Sequence, residues 1–328
     1  MNISRYTGDR QPEWDDFVRA SRNGTFLFER AYMDYHGDRF LDHSLIFTDT
    51  SHGSGKIIAL LPANEVGHTL HSHQGLTYGG FILSKKVHIT QVGELFQTTL
   101  DHLRQQGFTH MVYKQMPSVY HLLPSQEDTY WLWRSRAEKT ACNVMTAVDL
   151  HRADQSPVSA RKHTYSNRMQ RQGYTVSIDA PLEAFWPILE ANLQERFQAK
   201  PVHTLVEIRT LQRSFPRNIV CCTVQNPHGQ VVAGTVLFIS QQVVRTQYIS
   251  ASHEGRGCNA LDFLMLSLIR HYQAHPQYRY FDFGTSMAED GTSLNEGLEM
   301  QKEGFGARSI ACNTYSIDTS IDIRNPQS

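Results

Sequence analysis

The stretch from Val231 to Arg308 places the strongest constraint on how this chain can fold. It contains two apolar segments typical of strands, VVAGTVLFI and RTQYISAS, then a glycine-bearing turn, HEGRGCN, a helical segment and YRYFDFGTS. The helix is predicted from apolar residues at helical spacing, namely Leu261, Leu264, Met265, Leu268 and Tyr272. Strands that lead through a turn into an amphipathic helix predict a layered α/β fold, with this helix packed on a sheet.

The glycine turn is the first candidate binding site. Asn259 is a good N-cap residue, and the unpaired backbone N–H groups and macrodipole at a helix N-terminus favour an anion. Gly255 and Gly257 leave no side chain between a diphosphate and the backbone, as a phosphate cradle requires. The turn residues predicted to bind a phosphorylated carrier are Gly255, Arg256, Gly257 and Asn259. A plain strand-to-helix turn explains the same residues equally well.

Length and composition indicate a globular protein with two domains. The 328 residues suffice for two buried cores, and 40% hydrophobic with 19% charged residues is typical of a soluble chain. The formal net charge of -1 gives no general attraction to polyanions, so a transfer-RNA partner would need a local basic patch. No apolar run has the length of a membrane span, and the N-terminus lacks an apolar signal core. We therefore expect a cytoplasmic protein.

Neither cysteines nor histidines predict a metal site. The five cysteines are odd in number and form no Cys-x-x-Cys pair, which favours reduced thiols over a disulfide framework or a zinc ribbon. His71 and His73 have the spacing of two ligands on one strand, but no cluster of carboxylates or cysteines accompanies them in the sequence. We expect a protein that needs no metal for its chemistry.

The chain is predicted to form two lobes of mixed strands and helices. The polar, proline-containing segment 152–157 marks the seam, so we predict an N-terminal lobe over 1–151 and a C-terminal lobe over 152–328. In the first lobe the patterns predict helices at 13–22 and 92–107 and strands at 43–50, 55–66, 109–115 and 143–150, with a turn at 52–55. In the second they predict a basic helix at 161–173, a helix at 180–198 and a strand meander at 217–226, 230–239 and 245–252. The polar residues at the C-terminus are expected to fray.

This order of elements resembles the second lobe of the FemAB-type acyltransferases, which are built on the GNAT N-acyltransferase fold. The resemblance covers most of the chain and rests on the order and spacing of several segments, among them SRNGTFLFERAYMDYH, SHQGLTYGGFIL, YKQMPSVYHLLPSQED, ARKHTYSNRMQRQGY, KPVHTLVEIRTL, FDFGTS and LEMQKEGFGA. It implies the α/β class with tandem GNAT-like lobes, whose mixed central sheets are flanked by helices. It also implies an acceptor-side first lobe and a donor-side second lobe.

The carrier-binding loop departs from the pattern of the resembled family. GNAT enzymes usually read Gln/Arg-x-x-Gly-x-Gly/Ala at this loop, whereas this chain has Ser252-x-x-Gly255-x-Gly257. The carrier is therefore left open between acyl-coenzyme A and an aminoacyl-transfer RNA.

Acyl transfer to an amine requires a neutral nucleophile, stabilisation of an oxyanion and a proton for the leaving group. In FemAB-type enzymes a lysine in the matching K-x-G-F-G segment lies near the reacting centre, which implies that Lys302 stabilises developing negative charge. Tyr248 is a candidate proton donor, and Glu299 or Glu303 a candidate base. The alternatives are a solvated lysine and a packed core tyrosine, and a carboxylate base needs surroundings that raise its pKa.

Two further segments are candidates for acceptor binding. Arg161 and Arg168 are seven residues apart on one face of the basic helix, a spacing suited to a phosphate on a nucleotide-activated acceptor. In the first lobe, Tyr78 would stack on a sugar or hydrogen-bond to it, and Gly79 would bring the backbone close to it. Solvated charge and a strand-edge turn are the competing explanations.

The combined features predict an N-acyltransferase. It would move an acyl group from an acyl-thioester carrier, with acyl-coenzyme A as co-substrate, to an amine of a sugar, sugar-nucleotide or cell-wall precursor. One alternative uses aminoacyl-transfer RNA as donor, as peptidoglycan-bridge members of the resembled family do, although this chain lacks a strong positive balance. The other is a non-catalytic binding protein on the same fold.

Overall fold

The computed structural model describes residues 1–50 and 55–324. The chain divides into unit 1, Met1–Asn143 with Ala311–Ser328, and unit 2, Val144–Ile310. The predicted boundary after residue 151 differs from this division, because it assigned the whole C-terminal segment to the second lobe. Most of the predicted turn at 52–55 and the last four residues of the frayed tail lie outside the described residues.

Unit 1 alternates short strands with helices along the chain. Its elements, in order, are β1 (Asn2–Arg5), α1 (Gln11–Ala20), α2 (Arg30–Met33), β2 (Leu41–Asp42), β3 (Leu45–Asp49), β4 (Lys56–Leu61), β5 (Asn64–Val66), β6 (Thr69–His71), β7 (Ile82–Leu83), α3 (Ile89–Gln105), β8 (His110–Lys114) and α4 (Glu127–Arg134). Strand β9 (Glu138–Asp149) starts in unit 1 and ends in unit 2. The helices predicted at 13–22 and 92–107 correspond to α1 and α3. The predicted strands correspond to β3, to β4 with β5, to β8 and to the end of β9, whereas the elements that were not predicted are β1, α2, β2, β6, β7 and α4.

Unit 2 contains the helices that line the candidate site described below. Its elements, in order, are α5 (Ala160–Arg171), β10 (Thr175–Ile178), α6 (Leu182–Phe197), α7 (Leu205–Ser214), β11 (Ile219–Gln225), β12 (Val231–Ile239), β13 (Val243–Ala251), α8 (His253–Cys258), α9 (Ala260–Gln273), β14 (Tyr280–Thr285) and α10 (Glu296–Glu303). Strand β15 (Arg308–Asp318) then leads back into unit 1.

The strands of unit 1 form two arrangements. One sheet has the order β1-β3-β4-β7, and the other strands follow the order β15-β8-β6-β5-β2. Strand β15 pairs antiparallel with β8, with Thr314 opposite Lys114, and β8 pairs parallel with β6. Helix α3 buries Val92, Phe96 and Leu103 in the apolar core of this unit. The pairing with β8 explains why the C-terminal segment belongs to unit 1.

Unit 2 has the strand order β10-β11-β12-β13-β14-β9, in which β13 and β14 are parallel and the other neighbours antiparallel. The predicted meander of β11, β12 and β13 is confirmed. Helix α9 connects the two parallel strands and buries Ala260, Leu264 and Leu268 in the same core as β12 and β13. Helix α5 packs against α9. Within residues 1–50 and 55–324, no helix combines the length and apolar character that crossing a membrane requires.

Candidate active site

The predicted glycine turn is helix α8. The side chain of Ser252 caps this helix, because its Oγ accepts a hydrogen bond from the backbone N–H of Gly255 at 3.2 Å. Asn259 has φ +62° and joins α8 to α9, but its side chain makes no capping hydrogen bond. The backbone N–H groups of Arg256 and Asn259 donate to Ser252 O and Arg256 O. These two amides are bonded within the chain, so the predicted cradle of unpaired amides before Ala260 is corrected.

The two glycines of this segment have different surroundings. A Cβ atom on Gly255 would lie 2.1 Å from the carbonyl oxygen of Val232, so this glycine allows α8 to approach β12 closely. A Cβ atom on Gly257 would meet nothing within 4 Å. Gly255 is therefore explained by packing, and Gly257 is exposed.

Next to α8 lies an open cavity of about 630 Å³, which we call the arginine cavity. It brings together four of the predicted residues, Arg161, Gly255, Arg256 and Asn259. Further side chains that the argument below uses also line it, namely Lys162, Arg196 and Asp262. Gly257 and Arg168 are absent from its lining. Cationic side chains from α5, α6 and α8 thus face one cavity beside the start of α9.

Neighbouring side chains hold these guanidinium groups. The Nε atom of Arg161 donates to Tyr165 Oη at 2.8 Å, and the guanidinium groups of Arg161 and Arg168 lie 5.3 and 5.4 Å from the centre of the Tyr165 ring. Arg256 donates from Nη1 to Asn192 Oδ1 at 2.9 Å and to Ala251 O at 3.1 Å. Arginines fixed in this way lose less side-chain entropy when they bind an anion.

A buried ion pair, which the sequence patterns did not predict, forms part of the cavity wall. Lys162 is 7% exposed, and its Nζ atom lies 2.9 Å from Asp262 Oδ1 and 3.6 Å from the centre of the Phe305 ring. A Cβ atom on Gly304 would lie 2.7 Å from Lys162 Cε, so a glycine gives the lysine room. Lys162, Ser166 and Met169 form the buried face of α5. In the sequence, the helical spacing of Lys162 from Ser166 and Met169 could have indicated that Lys162 points inward.

A second, smaller cavity of about 270 Å³ adjoins the arginine cavity, and we call it the apolar cavity. The two cavities share several lining residues, namely Arg196, Arg256, Leu261, Asp262 and Gln301. Lys302 lines the apolar cavity, together with side chains from β13, β14 and α9. The predicted carrier-binding residue Arg256 and the predicted catalytic residue Lys302 are thus brought to one continuous site.

Lys302 is buried, and its ammonium group has three acceptors. Its Nζ atom donates to Gly284 O at 2.9 Å, to Thr285 O at 2.5 Å and to Ser286 Oγ at 2.9 Å. Burial lowers the pKa of Lys302 to about 8, although the carboxylates of Asp282 and Glu299 act in the opposite direction. The side chain therefore fixes the end of β14 and the residue that follows it. An oxyanion would have to replace one of the three acceptors.

Comparisons with known proteins concern part of unit 2 and the fold of the chain. A family model described as the GNAT acetyltransferase domain matches residues 159–291. No curated protein matches this sequence.

Solved structures of similar fold extend the likeness to both units. FemX is 10% identical with a TM-score of 0.69, over 98% of this chain and 98% of its own. L-PGS from Bacillus licheniformis is 14% identical with a TM-score of 0.61, over 98% and 95%. A tandem GNAT protein from the clavulanic acid biosynthesis pathway is 14% identical with a TM-score of 0.52, over 97% and 98%. At these identities the likeness shows the fold.

The predicted α/β class with tandem GNAT-like lobes is confirmed by the domain match and the shared fold. FemX shares the fold along almost the entire chain, as the resemblance to FemAB-type acyltransferases implies. The GNAT domain match supports an acyltransferase as the class of enzyme. Its matched residues include the arginines of α5 and α8 and most of the apolar cavity.

Glu299, on α10 of unit 2, does not have the surroundings that a carboxylate base needs. Its two carboxylate oxygens accept hydrogen bonds from Thr146 Oγ1 at 2.5 Å and from Ser309 Oγ at 2.6 Å. Burial raises the pKa of Glu299, but hydrogen bonds from serine and threonine hydroxyls outweigh it, and the resulting pKa is below the ordinary value. This environment removes the condition on which the predicted base depended, so we do not retain Glu299 as the base.

Tyr248 is placed in the interior, away from both cavities. Its hydroxyl group accepts a hydrogen bond from the backbone N–H of His203 at 3.2 Å and is also bonded to His203 Nδ1. Its ring packs edge-on against Trp186, with 5.4 Å between ring centres. Neither cavity includes Tyr248 in its lining. The geometry fits the alternative of a packed core tyrosine.

In unit 1, Tyr78 and Gly79 have packing roles that correct the predicted contact with a sugar. Tyr78 is 2% exposed, its hydroxyl lies 3.3 Å from Thr25 Oγ1, and its ring packs on Tyr120 with 4.4 Å between centres. A Cβ atom on Gly79 would lie 1.9 Å from the carbonyl oxygen of Ser72. The ring is covered by other side chains, and the glycine allows two segments of backbone to approach closely.

Proposed function

We propose that this protein transfers an acyl group from a phosphorylated thioester carrier of the acyl-coenzyme A type to an amine. The observation that carries the proposal is the arginine cavity, where Arg161, Arg196 and Arg256 line one space beside the smaller apolar cavity. Guanidinium groups bind phosphate oxygens through paired, charge-assisted hydrogen bonds. A carrier with phosphates and a thioester-linked acyl group matches this division into a cationic and an apolar space.

The residues present fit such a carrier without the predicted amide cradle. Side-chain cations in the arginine cavity would bind the phosphates, since the amides of Arg256 and Asn259 are already bonded within the chain. The bound carrier supplies an acyl carbonyl that is activated towards amines. Lys302 holds the segment 284–286 in place and supplies positive charge to the wall of the apolar cavity, a position suited to stabilising developing negative charge.

The acceptor belongs to the same proposal. We retain an amine on a sugar, sugar-nucleotide or cell-wall precursor, on the basis of the resemblance to FemAB-type enzymes. Arg161 lines the arginine cavity and Arg168 does not, but both guanidinium groups lie beside the Tyr165 ring. A phosphate on the acceptor would bind to Arg168, and Arg161 would lie between this phosphate and those of the carrier.

A binding experiment tests the donor. Coenzyme A, acetyl-coenzyme A, and charged and uncharged transfer RNA are titrated by calorimetry, with thermal shift as a second measure. A ligand that binds only the folded state raises the apparent stability by mass action. We expect saturable binding of coenzyme A and its thioester. Binding of charged transfer RNA with none of coenzyme A would instead favour the aminoacyl donor.

A matched pair of variants locates the binding site. Arg256→Gln should weaken coenzyme A binding about tenfold or more, because a hydrogen bond to a charged group contributes about 1.5–3 kcal/mol. Arg171→Gln is the control, since Arg171 is exposed on α5 and does not line the arginine cavity. Equal affinity of both variants and the wild type would contradict the proposed site.

A further inference from the structure

We infer that the donor's acyl group is neutral and apolar, and about six to eight carbons long, rather than an acetyl or an aminoacyl group. This inference depends on the proposed function, because it assigns the apolar cavity to the acyl end of the carrier. It goes further by naming the chemical class of the group that is transferred.

The lining of the apolar cavity is the first observation. Aliphatic and aromatic side chains of β13, β14, α9 and α10 and of the segment after α10 line it, namely Ile249, Ala251, Met265, Phe283, Leu298 and Phe305. Cavities that bind a ligand specifically combine such a lining with a few polar groups. Here Arg196, Arg256, Asp262 and Gln301 lie on the side shared with the arginine cavity, whereas Asn192, Ser250 and Lys302 line the apolar cavity alone. An acetyl group would leave most of this apolar surface uncovered.

The volume sets the length of the acyl group. A water molecule in the liquid occupies roughly 30 Å³, so about 270 Å³ corresponds to about nine groups of that size. The carbonyl group and the mouth of the cavity take part of this space. About six to eight carbons therefore fill it.

Charge argues against an aminoacyl group, which carries an α-ammonium. The side chains that line the apolar cavity include three cations, Arg196, Arg256 and Lys302, and one carboxylate, Asp262. Arg256 also pairs with Glu195, with 3.4 Å between Nη2 and Oε2. Asp262 already pairs with the buried Lys162 at 2.9 Å. A further positive charge would meet an excess of positive charge in a partly desolvated space. A neutral acyl group meets no such penalty.

The wall of the cavity is held in place by packing. Phe283 stacks on Phe305 with 5.2 Å between ring centres and 27° between ring planes, and the ammonium of Lys162 lies 3.6 Å from the centre of the Phe305 ring. Phe305 is thus held by a second aromatic ring and by the Lys162 side of the ion pair. A wall fixed in this way favours one range of chain length over others.

Calorimetry tests the inference. The affinity of the protein is measured for free coenzyme A and for its thioesters with acyl groups of two, four, six, eight, twelve and sixteen carbons. Affinity should rise about fourfold for each methylene that is buried, up to about six to eight carbons, and should not rise further. Affinity that is independent of chain length, with normal binding of free coenzyme A, would overturn the inference and leave the proposed function standing.

Variants of Leu298 assign the effect to this cavity. Leu298 is half-buried on α10, so Leu298→Trp should fit by filling part of the cavity, and it should shift the best chain length to about four carbons or fewer. Leu298→Ala should shift it to longer chains. Leu294→Trp is the control, because Leu294 is 44% exposed and lines neither cavity. Identical chain-length profiles for all three variants would contradict the assignment.

A second set of ligands separates the two proposals. N-acetylcysteamine thioesters with the same acyl groups carry no phosphate, so their binding reports the apolar cavity alone. If no coenzyme A ligand binds, the proposed carrier fails. If these small thioesters bind with an affinity that depends on chain length and on Leu298→Trp, the assignment of the apolar cavity to the acyl group still holds. If their binding shows no such dependence, that assignment is overturned.

Discussion

Gly79 in unit 1 and Gly255 in unit 2 were both predicted to bring backbone close to a ligand, and both instead bring backbone close to backbone. A Cβ atom would lie 1.9 Å from Ser72 O in the first case and 2.1 Å from Val232 O in the second. The units differ in what surrounds each glycine. Tyr78 beside Gly79 is buried, whereas Arg256 beside Gly255 lines a cavity of about 630 Å³. The binding site that we propose for this chain therefore depends on charged side chains at a cavity and not on the glycines.

A second contrast concerns buried ionisable groups. In unit 1, burial raises the pKa of Asp128 to about 6, although hydrogen bonds from Gln115 and Tyr113 oppose the change. In unit 2, burial lowers the pKa of Lys302 to about 8. Both groups are less favourable in their charged form inside the protein. The contributions of these two groups to the free energy of unfolding should therefore change with pH in opposite directions.

Among these variants, Lys302→Met should have the largest effect on the free energy of unfolding. The pKa of Lys302 falls from its ordinary 10.5 to about 8 on folding, so the unfolded chain binds more protons between these values. The free energy of unfolding of the wild type should rise through this window by up to about 3 kcal/mol more than that of the variant. Urea unfolding from pH 7.5 to 10.5 measures the difference. Parallel profiles of the two proteins would contradict the buried, shifted lysine.

Lys302→Met also tests the catalytic role. Removal of a charge that stabilises an oxyanion typically costs about a hundredfold or more in rate. The measurement is release of free coenzyme A from an octanoyl thioester in the presence of glucosamine and related amino sugars. Undiminished turnover by a folded variant would rule out this role for the lysine.

Gly255→Ala and Gly257→Ala form a pair that separates packing from ligand binding. The first should lower the free energy of unfolding by about 2–3 kcal/mol, because the new methyl group meets Val232 O, a backbone atom. The second should change it by about 1 kcal/mol or less, since nothing lies within 4 Å. Equal destabilisation by both variants would contradict the packing role of Gly255 and hence its comparison with Gly79.

Asp128→Asn tests the opposite pH response in unit 1. The folded pKa of Asp128 is above its unfolded value of 3.8, so its contribution to stability is fully present below pH 3.8 and is lost as the pH rises through about 6. Between pH 4 and 7, the wild type should lose about 2 kcal/mol relative to the variant. Denaturant unfolding at a series of pH values checks this. A constant difference between the two proteins would show that Asp128 does not titrate there.

Tyr78→Phe should have the smallest effect. Loss of the hydroxyl, which lies 3.3 Å from Thr25 Oγ1, should lower the free energy of unfolding by about 0.5–1 kcal/mol. Coenzyme A affinity should not change, because the ring is buried in unit 1. A large loss of acceptor or carrier binding with normal stability would restore Tyr78 as a ligand contact.

Local patterns predicted most elements, because periodicity reports which face is buried. The stripe on α9 and the meander of β11, β12 and β13 follow from it directly. Helix α8 was missed because its two glycines favour a turn, and the Ser252 cap that starts it was not recognised. The Lys162–Asp262 pair joins residues a hundred positions apart, and no local pattern records such a contact. Burial of Tyr248 and Tyr78 likewise depends on distant segments.

Strand β15 has a consequence for how unit 1 is completed. Residues 314–318 pair with β8, so unit 1 takes one of its strands from a segment that follows unit 2 in the sequence. A gene split after residue 151 should therefore yield an amino-terminal fragment with an exposed, aggregation-prone edge, and adding the missing strand through a short linker should restore its solubility.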